Sequence, residues 1–267
     1  MSAPERTGAG RAATIDFTLD GTPMRASAGE TILQAARRHG VEIPHLCFSD
    51  GLRPDGNCRA CVVEVAGERT LAPSCCRAVQ PGMQVSARSE RALKSQRMVV
   101  ELLLADLPAQ GRDWVDGDAS RPHGELSRWA SQLGVTPRPA LAALQRAPVA
   151  EDASHPAMAL NLDACIQCTR CVRACRELQV NGVIGVAGRG SHARIAFDLG
   201  DPMGDSSCVA CGECVQACPT GALVAKNFSG DRRVDREVAS VCPYCGVGCL
   251  LTYQVRGQSI VAVQGRD

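Results

Sequence analysis

Residues 165–175 read CIQCTRCVRAC, and residues 208–219 read CVACGECVQACP. Each stretch has the spacing C-x2-C-x2-C-x3-C, and the second closes on the Cys218–Pro219 dipeptide. Four thiolates at this spacing suit a cubane of iron and sulfide. One tight loop supplies three ligands, and a fourth cysteine on the following helix reaches across to the other cluster. That rule assigns Cys165, Cys168, Cys171 and Cys218 to one 4Fe-4S cluster, and Cys208, Cys211, Cys214 and Cys175 to a second. Zinc ribbons usually present two C-x2-C pairs with nothing between them. Here each half has a third cysteine in step and a fourth beyond it, which favours clusters over zinc or disulfides.

The composition points the same way. With two Trp, two Tyr and four Phe in 267 residues, aromatic side chains cannot be the main core filler. Inorganic clusters take over part of that role, because each ties distant chain positions together. All 16 cysteines fall into compact groups, a metal-binding pattern rather than a disulfide framework, and this implies a reducing compartment. A formal net charge of +1 on a mixed surface argues against a nucleic-acid or acidic-substrate partner. No run of eighteen apolar residues is present to span a membrane, and residues 1–12 lack the apolar centre of a secretory signal and read as a flexible tail. The expected setting is cytoplasmic.

Residues 13–88 open with TIDFTLDGTPMRAS, two strands joined at an Asp-Gly turn. A short helix follows, opened by Gly29 and Glu30 and stopped by Gly40, with Ile32, Leu33 and Ala36 as its apolar face. Then come Cys47, Cys58, Cys61 and the adjacent Cys75 and Cys76. The ten residues between the first two exceed the four of a plant-type two-iron ferredoxin. The phrase P-H-L-C-F-x7-G-N-C-R-A-C resembles the two-iron β-grasp domain of the large iron–sulfur subunit of respiratory complex I. Iron-only hydrogenases and NAD-dependent molybdenum formate dehydrogenases carry a related domain. The resemblance continues through VVEVAGERTLAPSC and MQVSA, and implies a 2Fe-2S cluster on Cys47, Cys58, Cys61 and Cys75, with Cys76 a buried neighbour. Residue types alone do not separate Cys75 from Cys76. Phe48 is a small departure from the pattern. Gly51 and Gly56 would let the loop close over the sulfides and offer N–H donors to them. His45 is read as a hydrogen-bonding or solvent-facing residue rather than a Rieske-type ligand.

Residues 89–157 form a helical region and a linker. A helix through 89–107 is expected from Met98, Val99, Leu102 and Leu103, ended by Pro108. In the complex I subunit this helix leads into a His-Cys cluster site. Here Leu107 stands in place of the histidine and Gly111 and Trp114 in place of cysteines, so the scaffold is kept without its ligands, and His123 reads as a surface residue. ELSRWASQLG is a second helix capped by Gly134, and residues 136–156, rich in Pro and Ala, read as a linker wrapping its neighbours.

Residues 158–235 resemble a bacterial two-cluster ferredoxin insert, with a short strand expected before each cysteine loop and a hairpin in VNGVIGVAGRGSHARIAFDLG. Asp163 and Arg170, beside ligands, are expected to be solvated. Pro219 and Gly221 shape the turn after Cys218, and Thr220 is a candidate donor to a sulfide. The glycines of GVIGVAGRG lack the spacing and the strand–turn–helix setting of a nucleotide loop. In residues 236–267, V-C-P-Y-C-G-V-G-C resembles the first cluster motif of the molybdopterin domain of formate dehydrogenases. Cys242, Cys245 and Cys249 are three of its four cysteines, and a hairpin through residues 250–263 follows; the simplest account is a motif cut before its ending, a possible third 4Fe-4S site.

Taken together, the reading is an α+β chain: a two-iron β-grasp domain, a helical linker region, a double 4Fe-4S ferredoxin-like domain and the start of a molybdopterin-oxidoreductase domain. It resembles the N-terminal iron–sulfur portion of the large subunit of an NAD-dependent molybdenum formate dehydrogenase. The resemblance implies an electron relay between a molybdenum site on a molybdopterin catalytic domain and a flavin- and NAD-binding partner subunit. No catalytic residue is assigned, because the pterin-binding region is absent from these residues. The alternatives are an iron–sulfur subunit of NADH:quinone oxidoreductase or of an NAD-linked hydrogenase, and a stand-alone ferredoxin-like carrier.

Overall fold

The computed structural model describes residues 14–108, 124–226 and 234–266. The expected tail over residues 1–12, together with Gly111, Trp114 and His123, lies outside these.

β1 (Thr14–Leu19) buries Phe17 and Leu19 on one face, and β2 (Thr22–Ser27) buries Met24 and Ala26 opposite. Asp20 and Gly21 join them with φ of 49° and 79°, the left-handed pair that matches strand twist in a two-residue hairpin. β1 also pairs in parallel with β5 (Gln84–Ser86), which is antiparallel to β3 (Val62–Val65), itself paired with β4 (Ala72–Pro73). The sheet order is β2-β1-β5-β3-β4. α1 (Ile32–Arg38) contributes Ile32, Leu33, Ala35 and Ala36 to the core of this sheet. Its start differs from the sequence expectation. Thr31, not Glu30, is the N-cap and forms a reciprocal capping box with Gln34, while Glu30 accepts the Ser27 N–H and pairs with Arg38.

α2 (Glu90–Asp106) starts at the Ser89 N-cap, and its buried row is Ala92, Gln96, Val100 and Leu104. The expected face is therefore rotated: Met98 and Leu102 are 45% and 40% exposed, and Val99 and Leu103 are flanking contacts. Gln96 sets the rotation. Its fully enclosed amide donates to the carbonyls of Val62 (2.9 Å) and Ala87 (3.2 Å), pinning the helix to β3 and the end of β5. A polar residue inside an apolar row hides that face from a hydrophobicity count.

α3 (Glu125–Leu133) ends at Gly134 in the left-handed conformation and buries Leu126, Trp129 and Ala130. Residues 136–156 include a 3-10 turn (Pro139–Leu144) and run along α2 through Arg138–Glu101 (2.6 Å) and Arg146–Asp106 (2.8 Å) ion pairs. They then reach the cysteine-rich part, where Val149 N–H donates to Asp163 (2.8 Å).

There β6 (Met158–Leu160) pairs with β9 (Leu223–Ala225), and β7 (Ile184–Ala187) with β8 (Arg194–Phe197), all antiparallel. α4 (Arg170–Arg173) continues as a π turn (Ala174–Leu178), and α5 (Glu213–Ala217) is its counterpart. β6 and a 3-10 turn (Leu162–Ala164) precede the first cysteine loop, whereas residues 202–207 before the second form turns. One apolar core joins Leu46 and Cys47 to Val100, Leu104, Leu107, Trp129 and the cysteine loops. Finally β10 (Arg236–Val241), β11 (Leu250–Arg256) and β12 (Ser259–Gly265) form an antiparallel sheet, so the expected hairpin gains a third strand. Among the described residues no helix is long and apolar enough to cross a membrane.

Replacing Gln96 by Leu would leave two buried carbonyls without donors, a loss of about 1–3 kcal/mol each way such groups are orphaned. The expected result for Gln96→Leu is a urea midpoint lowered with an unchanged slope, whereas an unchanged midpoint would show that Gln96 does not anchor α2.

Candidate iron–sulfur sites

The loop after α1 carries Cys47 and Cys58 into contact, and Cys61 enters at the start of β3. Cys75 follows β4 on a turn in which the N–H groups of Cys76 and Arg77 both donate to Pro73 O (3.0 Å). On such a turn successive side chains diverge. Cys75 points inward, fully buried, within thiol hydrogen-bonding reach of Cys47 and Cys61. Cys76, expected to be buried, is exposed, its sulfur 3.5 Å from that of Cys75. The structure therefore brings together Cys47, Cys58, Cys61 and Cys75 and leaves Cys76 outside.

Four thiols this close share their protons unevenly. Hydrogen bonding from Cys58, then from Cys75, holds Cys47 far below the ordinary thiol range. The same contact with Cys47 pushes Cys58 and Cys75 far above it. Such a group of sulfurs gives up all its protons only to a cationic metal core. Gly51 and Gly56 have φ of 80° and 66°, as the close-folding loop requires. A Cβ on Gly56 would sit 2.9 Å from the Cys76 sulfur.

The two long cysteine motifs form two cavities, each lined by four cysteines. Cys165, Cys168, Cys171 and Cys218 line one, closed by Leu160, Ile195 and Leu223. Cys175, Cys208, Cys211 and Cys214 line the other, against Met158 and Ile184. Each motif thus sends its fourth cysteine to the other's cavity, because α4 and α5 pack against each other. Burial pushes the Cys165 thiol up to about 11 and that of Cys214 up to about 12, and raises Cys168 and Cys171 also. Among the described residues no three His, Cys, Asp or Glu side chains converge on a point that one metal ion could fill. Sulfurs that surround a space rather than a point fit a cluster.

The loops are built alike to a degree the sequence conceals. Gln167 and Thr169 have φ of 54° and 60°; Ala210 and Gly212, at matching positions, have 57° and 78°. Gln167 N–H donates to Cys165 Sγ (3.4 Å), and Ala210 N–H to Cys208 Sγ (3.5 Å). Left-handed backbone at non-glycine residues is costly and gathers at functional sites. Here it turns amide hydrogens toward sulfur, where they favour thiolate. Only Gly212 gives any hint of this in the sequence. Thr220 Oγ1 lies 3.8 Å from Cys218 Sγ.

Two expectations are corrected. Asp163 and Arg170 are not solvated: they are 5% and 6% exposed. Asp163 caps the 136–156 segment through Val149. Arg170 Nη1 donates to both carboxylate oxygens of Glu125 (2.8 and 3.0 Å) and to Leu46 O (3.3 Å), because it faces the seam between the sheet and the cysteine-rich part. Arg173, unnoticed in the sequence, is as deeply buried and donates to the main-chain carbonyls of Cys47, Arg53 (2.7 Å) and Cys168 (3.3 Å). Asn57 Nδ2 also reaches Cys168 O (3.4 Å). His45 donates from Nδ1 to Ile43 O (2.8 Å), with its pKa lowered by burial, and faces a polar cleft of about 530 Å³ beside the sulfurs rather than at them.

Cys242, Cys245 and Cys249 share the turn between β10 and β11, where Cys242 N–H donates to Cys249 O (2.8 Å) and Gly246 and Gly248 have φ of 77° and 84°. Cys245 and Cys249 are exposed.

This architecture defines an iron–sulfur electron-transfer protein, and comparison with known proteins agrees. Residues 12–90 match the 2Fe-2S iron–sulfur cluster binding domain. Residues 155–224 match the ferredoxin-like domain of NADH-quinone oxidoreductase subunit 3, and residues 235–267 the molybdopterin oxidoreductase Fe4S4 domain. The alpha subunit of the NADPH-Fe(3+) oxidoreductase of Geobacter sulfurreducens is 31% identical over 257 residues, covering 95% of this chain and 29% of that one. A Staphylococcus haemolyticus protein named provisionally as a formate dehydrogenase is 25% identical over 92% of this chain and 28% of its own length. A solved chain of an NAD+-reducing [NiFe]-hydrogenase in the H2-reduced state superposes with a TM-score of 0.70 at 31% identity, over 82% of this chain and 92% of that one. The chain thus spans under a third of these two curated relatives. It belongs to the family of N-terminal iron–sulfur regions of the large subunits of NADH-quinone oxidoreductases, NAD-reducing hydrogenases and molybdopterin oxidoreductases. Its cofactors are a 2Fe-2S cluster and 4Fe-4S clusters.

Geometry separates the adjacent cysteines, and a pair of variants checks it. Cys75→Ser should lose the two-iron electron paramagnetic resonance (EPR) signal of the reduced protein, and Cys76→Ser should retain it. The opposite outcome would exchange their roles.

Proposed function

We propose that this chain is the electron relay of a molybdopterin oxidoreductase of formate dehydrogenase type. In this reading residues 13–88 form a β-grasp 2Fe-2S domain, a description supported by the β2-β1-β5-β3-β4 sheet with α1 packed on it. Residues 89–157 are a helical scaffold and linker, residues 158–235 a two-cluster domain, and residues 236–267 the start of a molybdopterin domain. The ligands are Cys47, Cys58, Cys61 and Cys75 for 2Fe-2S. Cys165, Cys168, Cys171 and Cys218 hold one 4Fe-4S cluster, and Cys208, Cys211, Cys214 and Cys175 the other. Cys242, Cys245 and Cys249 offer three thiolates to a further cluster. When bound, these clusters carry one electron at a time at low potential. The protein's own contribution is to bury them, aim amides at their sulfurs and fix their order.

The observation that carries the choice of parent enzyme is the CPYCGVGC turn on β10–β11, in the segment that matches the molybdopterin oxidoreductase family. Leu107, fully buried in the apolar core, supports a scaffold without the His-Cys cluster of the complex I subunit. A flavin- and NAD-binding subunit would take the electrons at the far end of the relay. The second reading, a subunit of an NAD-linked hydrogenase, is favoured by the 92% coverage of the hydrogenase chain.

Reduction of the clusters in the native enzyme decides between them. Formate should bleach the visible absorption within the turnover time while hydrogen leaves it unchanged; the reverse result would establish the hydrogenase reading. For residues 1–235, iron analysis should give about ten irons per chain, two and two fours, and about four would overturn the ligand assignment. Cys218→Ser should disturb the cluster of the Cys165 loop and spare that of the Cys208 loop.

A further inference from the structure

We infer that Arg173 is a counter-ion shared by the 2Fe-2S cluster and the neighbouring 4Fe-4S cluster, a positioning residue that sets both potentials together. The inference rests on the ligand assignment proposed above.

Arg173 is 6% exposed, and unlike Arg170 it has no carboxylate within ion-pair distance among the described residues. Its three acceptors are main-chain carbonyls. Two belong to the loop of the two-iron site, at Cys47 and Arg53, and the third to Cys168 in the other loop. One nitrogen, Nη2, donates both to Cys47 O and to Cys168 O, so a single atom joins the backbones of two cysteines that belong to different cysteine groups. Its Nε–H is buried with no partner. A buried cation compensated only by dipoles is costly, by several kcal/mol in general. Thiolate-ligated iron–sulfur clusters carry net negative charge, which grows by one electron on reduction. With such a cluster on either side, the guanidinium has an anionic counter-charge that no carboxylate within ion-pair distance supplies among the described residues, Glu177 being taken up by the N–H and side chain of Arg53. It then stabilises the reduced form of each cluster and raises both potentials. The electron that passes between the clusters leaves one and enters the other without a proton, and Arg173 faces both.

The other 4Fe-4S site, on Cys175, Cys208, Cys211 and Cys214, receives no hydrogen bond from the Arg173 guanidinium among the described residues and serves as the internal control. Dithionite titration of the purified chain followed by EPR reads the three potentials separately. Arg173→Gln should make the 2Fe-2S cluster and the Cys165-loop cluster each at least tenfold harder to reduce, which is about 59 mV for one electron, and leave the third within threefold. Arg173→Lys, which keeps the charge, should keep all three within threefold of wild type. Unchanged potentials in Arg173→Gln, a shift of only one neighbour, or an equal shift of all three would overturn the inference. If the Gln variant fails to load, a tenfold shift in Arg173→Lys would overturn it and unchanged potentials would uphold it. If instead the wild-type protein loads no 2Fe-2S or Cys165-loop cluster, the ligand assignment itself fails.

Discussion

Crowded sulfur is the constraint on which the rest of this molecule depends. Four thiols within hydrogen-bonding reach, as at Cys47, Cys58, Cys61 and Cys75, cannot all ionise without a cation core among them. The buried thiols of the other two sites are pushed up for the simpler reason that apolar walls disfavour charge. The surrounding chain answers that requirement. Left-handed residues at 59, 167, 169, 210 and 212 bend the loops so that amides approach sulfur, at a conformational cost that a hydrogen bond to thiolate offsets.

The same requirement explains how the parts are joined. A chain with few aromatic side chains builds its core from Leu, Val, Ile, Ala and the cysteines themselves, and the largest apolar group runs continuously from Leu46 and Cys47 through α2 and α3 to both cysteine cavities. Across the seam, Arg170 is held by Glu125 and Leu46 O, and Arg173 by Arg53 and Cys47. Asn57 reaches Cys168 O over the top. These are short, directional contacts on rigid elements, so they fix the separation of the first two sites more tightly than apolar packing alone would. The β10–β12 sheet differs. Tyr244, Val247 and Ile260 are largely exposed there, and its cysteines lie on an open turn.

Where the sequence reading succeeded and failed follows from the range of the interactions concerned. Thr31 displaced Glu30 as the helix cap because a hydroxyl three residues before Gln34 completes a reciprocal pair, a local effect that was readable in principle. The rotation of α2 was not readable. It depends on Gln96 meeting the carbonyls of Val62 and Ala87, which are distant in the chain, and an amide in an apolar row looks like solvent-facing surface. Arg170 and Asp163 were misjudged for the same reason: a charge is buried only when its partner is known, and Glu125 and Val149 arrive through tertiary packing.

Cysteine spacing by itself determined the number of cysteine groups and pointed to cubane clusters with crossed fourth ligands at residues 165–219, whereas the two-iron reading of the first group came from a family resemblance. Ligand count and loop length are properties of the local chain, and cluster geometry leaves few ways to satisfy them. Tertiary structure alone decided that Cys75 faces inward while Cys76 faces out, because a one-residue step on a turn reverses what a side chain meets. It alone also brought the carbonyls of Cys47 and Cys168 to one guanidinium nitrogen of Arg173. No pattern in the sequence encodes that meeting, since the residues concerned are joined only by the packing of separately folded parts.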